Sequence, residues 1–175
     1  IQHIITRYIL AYLAKNNGLV LHASSSLIKG RAYVFVGAST AGKSTVVSLL
    51  RPIFPTLADD RIIIKQNENK RWVCYQTRFV ERDQHIQKSP LAYPLGGVFF
   101  IKKSSTCSHI KIIDVNKVAQ ELLTEAVIDS NIKIKKQLLK NTDVFLRSFS
   151  HFWYLSLSMN KSHVIRLMKT LTAES

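Results

Sequence analysis

An α/β fold with a mixed sheet and flanking helices is predicted by three features of the sequence. A glycine-rich stretch from Gly37 to Ser44 separates a run of strand character from a helical run. Along the chain, apolar residues alternate between the two-residue repeat of strands and the three-and-four spacing of helices. An apolar fraction of 46% over 175 residues is enough for one core of ordinary size, so a single domain spanning 1–175 is expected. The chain opens on Ile1, not Met, inside an amphipathic pattern, as a piece of a longer protein lacking N-terminal elements would.

The elements follow in order. Ile1, Ile4, Ile5, Tyr8, Ile9, Tyr12 and Leu13 fall on one helix face, and Asn17-Gly18 supplies the stop, which predicts a core-facing helix. Leu19 to Ser24 reads as a strand, Ile28-Lys29-Gly30 as a turn and Ala32 to Val36 as a buried strand, together a hairpin. Ser44 to Leu50 reads as a helix that must end near Pro52 and Pro55, because proline cannot continue it. Thr56 to Lys65 is expected as the next strand, with Trp72 to Tyr75 and Gly97 to Lys102 after it and a long polar loop over 77–94 between those two. Ile110 to Ile113 reads as a strand, and Val118, Leu122, Leu123 and Ala126 as a helix capped by Asp114 or Asn116. A second helix spans 131–147. His151 to Ser158 is aromatic with some alternation, and Val164, Ile165, Met168 and Leu171 fit a closing helix.

The stretch Gly37-Ala38-Ser39-Thr40-Ala41-Gly42-Lys43-Ser44 has the two glycines, lysine and hydroxyl of a P-loop, the Walker A pattern, in its required strand-to-helix context. Glycines let the backbone curl so that successive N–H groups face one anion, and the helix N-terminus adds its positive end. In such a loop Lys43 lies against the outer phosphates, the Ser44 hydroxyl is a ligand to Mg²⁺ and Thr45 adds a hydrogen bond. Asp59 and Asp60 follow Leu57-Ala58 and precede Ile62-Ile63-Ile64, which places two carboxylates at or beside a strand. Adjacent strand residues point to opposite faces, so the two are expected to do different work.

Four segments together resemble the HPr kinase/phosphorylase catalytic domain and its compact stand-alone relatives, which share a P-loop core with phosphoenolpyruvate carboxykinase. They are Leu21-His22-Ala23-Ser24, the glycine-rich loop, Leu57-Ala58-Asp59-Asp60 and Tyr93-Pro94-Leu95-Gly96-Gly97-Val98-Phe99-Phe100. The resemblance implies a single P-loop domain of that type. It also implies that Asp59 is the base beside the acceptor hydroxyl, that Asp60 helps hold the metal and that His22 lies near the phosphates. Thr77-Arg78-Phe79-Val80-Glu81 is similar to a segment of the relatives, which implies that Arg78, Glu81 and Arg82 line the phosphate or acceptor mouth. The arginine-bearing signature loop of full HPr kinases and their N-terminal sensor domain have no counterpart here, so neither the phosphorylase reaction nor HPr as substrate is implied. Relatives are often hexameric, so an oligomer is compatible with the resemblance.

The function expected is Mg²⁺-dependent transfer of a phosphoryl group from ATP or another nucleoside triphosphate to a hydroxyl, a serine or threonine of a peptide or protein. The alternatives are a nucleotide hydrolase or switch, and a non-catalytic nucleotide-binding module with a basic partner-binding surface. The formal charge of +14 exceeds what nucleotide phosphates need, which points to an acidic peptide or protein partner and leaves nucleic acid open. Part of that excess is expected beside the loop, from Arg51, Arg78, Arg82, Lys102 and Lys103. Cys74 and Cys107 have no metal-ligand spacing and form no disulfide framework. No apolar run reaches membrane-span length and no signal peptide pattern is present, so a cytoplasmic setting without a membrane partner is expected.

Overall fold

The computed structural model describes residues 2–77, 86, 89–106, 108–112, 114–157 and 160–171. The order is α1 (Gln2–Lys15), β1 (Gly18–Ile28), β2 (Arg31–Val36), α2 (Lys43–Leu50), β3 (Thr56–Ala58), β4 (Arg61–Gln66) and β5 (Trp72–Gln76). It continues with β6 (Tyr93–Lys103), β7 (Ser108–Lys111), α3 (Val115–Glu125), α4 (Ile132–Ser148), β8 (Phe152–Leu157) and α5 (Lys161–Leu171). The architecture is α/β with a mixed sheet, as the alternating periodicities predict.

β1 and β6, each of 11 residues, organise the sheet because each serves two sets of neighbours. The first half of β1 pairs antiparallel with β4, from Gly18↔Lys65 to His22↔Arg61, and its second half pairs antiparallel with β2, from Ala23↔Val36 to Ile28↔Arg31. β2, β6 and β8 run parallel, while β5 bridges β4 to the start of β6 at Tyr93 and Pro94. Pairing therefore passes from β1 through β4, β5, β6 and β2 back to β1, with β3 beside β1 and with β8 and β7 extending one side. The parallel alignment of β2 with β6 brings the ends of both strands to the same rim.

Alternation along β2 divides the core. Val34 and Val36 join one cluster with Leu21, Ile62, Ile64, Phe100, Val118, Leu122, Phe145 and Phe152. Tyr33 and Phe35 face the other way, with Phe99 and Trp153, under Val46, Val47 and Leu50 of α2 and Val164 and Met168 of α5. Phe99 stacks on Phe35 at 5.7 Å and on Trp153 at 5.0 Å between ring centroids, and fully burying a side chain of that size contributes about 1.5–3 kcal/mol. These rings give a physical reason for the Gly96-Gly97 pair. A Cβ on Gly96 would stand 2.6 Å from the Tyr33 ring, and one on Gly97 would stand 2.5 Å from the Trp153 ring. Cys74 is wholly buried in β5, and loss of hydration pushes its thiol well above the ordinary range, so it is kept protonated.

Several boundaries differ from the sequence reading. β1 runs on through Ser24, Ser25 and Ser26, which are fully buried between β2 and β3. The strand expected over 56–65 is split in two by a bend at Asp59-Asp60. β6 begins at Tyr93, inside the expected loop, and β7 lies at 108–111, earlier than 110–113. Asp114, not Asn116, caps α3: its carboxylate accepts from the Asn116 N–H at 2.9 Å. The apolar stripe of α1 is only partly core-facing. Leu10, Leu13 and Ala14 are buried against Val20 and Leu138, whereas Ile4, Ile5, Tyr8 and Tyr12 are 46–75% exposed. The helix docks by its C-terminal half on α4 and β1, and the row of residues beside that contact faces out.

Candidate active site

The end of β2 feeds directly into the glycine-rich turn, and α2 starts at Lys43. The turn closes through the Ala41 N–H donating to the Ala38 carbonyl at 3.0 Å, with Thr40 in the left-handed region at φ 68°. Gly42 is the N-cap of α2 at φ 109°, a conformation that a side chain would strain, and no side chain caps the helix there. An uncapped N-terminus presents the positive end of the helix and its unpaired N–H groups to whatever lies in front.

In front lies a cavity of about 260 Å³ lined by His22, Ala38, Ser39, Thr40, Gly42, Lys43, Ser44, Thr45, Asp59 and Asp60. Three separate pieces of chain thus meet: β1 brings His22, the turn and α2 bring residues 38–40 and 42–45, and the β3–β4 bend brings both aspartates. Gly37 and Ala41 stand behind the wall. A Cβ on Gly37 would come within 3.1 Å of Ala41 Cβ and 3.4 Å of the Ile101 carbonyl, while Ala41 packs toward the core under α2 and α5.

The bend is held by its neighbours. The Ala23 N–H donates to the Asp60 carbonyl at 3.0 Å, and the Ser24 hydroxyl donates to the Asp59 carbonyl at 3.1 Å. Because the two aspartates sit in a bend and not on a strand, they do not point to opposite faces of a sheet, and both reach the same cavity. Asp59 is 7% exposed. Asp60 is more open and places Oδ1 at 3.0 Å from His22 Nε2 and Oδ2 at 3.5 Å from Arg61 Nε.

Lys43 is nearly buried, and its ammonium donates back to the carbonyls of its own loop, Gly37 and, at 3.3 Å, Ala38. Glu125, at the end of α3, lies 3.8 Å from Lys43 Nζ and 3.4 Å from His22 Nδ1. Sequence reasoning missed this residue. The available signal was a carboxylate on the buried face of an amphipathic helix, in register with Val118 and Leu122. Its place is fixed by the chain just beyond it, where Ala126 bridges Leu21 and the Val127 N–H donates to the Val20 carbonyl at 2.9 Å.

Arg78, Glu81 and Arg82 lie outside the described residues. Of the cations expected beside the loop, Lys102 and Lys103 extend β6 past Ile101, whose backbone would lie 3.4 Å from a Cβ on Gly37, and Lys102 lies over the Tyr154 ring at 3.7 Å. Arg51 instead caps the far end of α2, because a helix of 8 residues carries it about 12 Å along the axis from Gly42. Among the described residues no group of three or more His, Cys, Asp and Glu side chains could hold a metal ion. None of the described helices is long and apolar enough to cross a membrane.

An α/β domain that gathers a glycine-rich turn, a lysine, a histidine and several carboxylates around one cavity is the class of protein these observations define. Residues 2–145 match the family model of the SynChlorMet cassette protein ScmC, and the chain belongs to that family. No curated protein matches it. Among solved structures it is similar to the Hpr(Ser) kinase/phosphatase from Coxiella burnetii, at 12% identity and a TM-score of 0.45 over 89% of this chain and 94% of that one.

Proposed function

We propose that this protein binds a nucleoside triphosphate, ATP in the first instance, at the turn from Gly37 to Thr45 and transfers its terminal phosphoryl group to the hydroxyl of a serine or threonine in a peptide or protein. The observation that carries this reading is the single cavity that joins the uncapped start of α2, Lys43, Ser44 and the Asp59-Asp60 pair. The helix start and the lysine suit an anion, while the two carboxylates that line the same cavity suit a metal ion and a proton.

In this reading the N–H groups of residues 38–40 and 42–45 and the Lys43 ammonium hold the phosphates and offset the charge that shifts onto the leaving oxygen. Asp59 orients the acceptor hydroxyl and takes its proton on a carboxylate oxygen, as the acceptor oxygen bonds to phosphorus and the bond to the departing nucleoside diphosphate breaks. Magnesium, when bound, neutralises phosphate oxygens, and the protein oxygens suited to it are Ser44 Oγ and the Asp60 carboxylate. Mg²⁺ ordinarily keeps several waters, so two protein ligands suffice. His22 and Arg61 hold Asp60 in place and also compete with a cation for its oxygens.

The test is thermal unfolding with MgATP. Binding to the folded state alone stabilises by about 2.7 kcal/mol at a hundredfold excess over the dissociation constant. A clear rise in melting temperature is expected for the natural sequence and little or none for Lys43→Ala. A folded protein that shows no shift at millimolar nucleotide would sink the reading.

A further inference from the structure

Glu125 is 9% exposed, yet it stands beside a cavity suited to polyphosphate, where a negative charge opposes the ligand. Its partners explain how it is tolerated. Lys43 Nζ lies 3.8 Å away and His22 Nδ1 3.4 Å away, and the other ring nitrogen of His22 reaches Asp60 at 3.0 Å. A buried carboxylate without such partners would be strongly destabilising. The groups form a chain from Asp60 through His22 and Glu125 to Lys43, and Lys43 ends on the carbonyls of Gly37 and Ala38. In this arrangement the Lys43 ammonium is turned onto its own loop. To meet phosphates it must leave those carbonyls, and His22 is the partner that then remains to Glu125.

We propose that Glu125 is a positioning residue that holds Lys43 against the loop in the empty site, keeps His22 directed at Asp60, and yields Lys43 to an incoming polyphosphate. The inference rests on the nucleotide reading above. It carries a consequence that a merely structural glutamate lacks. Glu125 competes with phosphate for Lys43, so removing its charge while keeping its shape strengthens ground-state binding of phosphate.

The experiment compares the natural sequence with Glu125→Gln and with Glu121→Gln, a charge-matched control on the same helix whose carboxylate accepts from the Tyr154 hydroxyl at 3.4 Å. Calorimetry with magnesium pyrophosphate and with MgATP should show Glu125→Gln binding both probes about three- to tenfold more tightly, and Glu121→Gln unchanged. A ligand-free readout accompanies it: acetic anhydride labelling of Lys43, followed by mass spectrometry, should rise several-fold in Glu125→Gln. If Glu125→Gln folds poorly, Glu125→Asp shortens the reach and keeps the charge, and should raise Lys43 labelling while tightening the binding of phosphate by a smaller factor, about twofold. Unchanged affinity and labelling in Glu125→Gln overturn the proposal, as does weaker binding with a lowered melting temperature, which marks a structural residue. If the natural sequence binds neither probe, the nucleotide reading fails and the transfer of Lys43 to phosphate fails with it. The labelling comparison still decides whether Glu125 restrains Lys43.

Discussion

Asp59 is buried at the wall of the cavity with its carbonyl fixed by Ser24, whereas Asp60 is more open and already engaged with His22 and Arg61. If Asp59 is the base, as proposed, it matters more in the transition state than in the bound ground state, so the two carboxylates separate on mutation. Asp59→Asn preserves volume but removes the ability to take a proton. Nucleotide affinity should change little, while phosphoryl transfer from labelled ATP to a verified acceptor falls on the order of a hundredfold or more. Near-normal transfer by Asp59→Asn would remove it from the role of base. The loop and the aspartates were legible in the sequence because their signals are local: a pattern of neighbouring residues in a strand-to-helix context. Glu125 was not, because it meets Lys43 and His22 only when the chain after α3 pairs with β1, a contact far apart in sequence. The aspartates were misread in one respect: strand alternation was assumed where the chain bends.

At the scale of elements, α1 is attached to the rest of the fold by polar as well as apolar contacts. The Asn141 side-chain amide, 1% exposed on α4, donates to the carbonyls of Leu13 at 3.0 Å, Ala14 at 3.2 Å and Gly18 at 3.1 Å. The Leu13 carbonyl also accepts from the Asn16 N–H at 3.1 Å, so Asn141 matters most for the carbonyls of Ala14, near the end of α1, and Gly18. Asn141→Leu is close in size but removes the side-chain donor to the Ala14 and Gly18 carbonyls, so it should cost about 1–3 kcal/mol in chemical unfolding. A variant as stable as the natural sequence would show that water reaches those carbonyls. The same element shows why the sequence reading of α1 was incomplete. Periodicity identifies an apolar stripe but not how much of it a neighbour covers, and only the half that meets α4 and β1 is buried. β1 was read short because Ser24 to Ser26 look like a strand end by composition. Pairing with β2 on one side and β3 on the other keeps the backbone extended and buries them all the same.

Across the whole molecule, charge is unevenly spent. The 11 acidic residues face 25 Lys and Arg, and several of the acids are committed locally: Asp60 to Arg61, Glu125 to Lys43, Asp129 to Arg7 and Asp143 to Arg147. The first turns of α4 show the opposite condition. Lys133, Lys135, Lys136 and Lys140 are exposed there, and the first turn holds no acid, so lysines gather at the positive end of a helix where carboxylates are the favourable choice. A local arrangement that disfavours the helix but concentrates positive potential suits an acidic partner. Retention on heparin or on a poly-glutamate column should therefore be strong at low salt, and the affinity should fall about ten- to hundredfold as salt rises to the physiological range. Replacing Lys133, Lys136 and Lys140 together with glutamate should abolish most of it, whereas Lys43→Ala, buried in the cavity, should leave it intact. If the triple variant is retained like the natural sequence, the surplus charge acts through the whole surface and α4 has no special part. If Lys43→Ala alone releases the column, polyanion and phosphate share one site, and the acidic partner is then the substrate itself, presented at the loop.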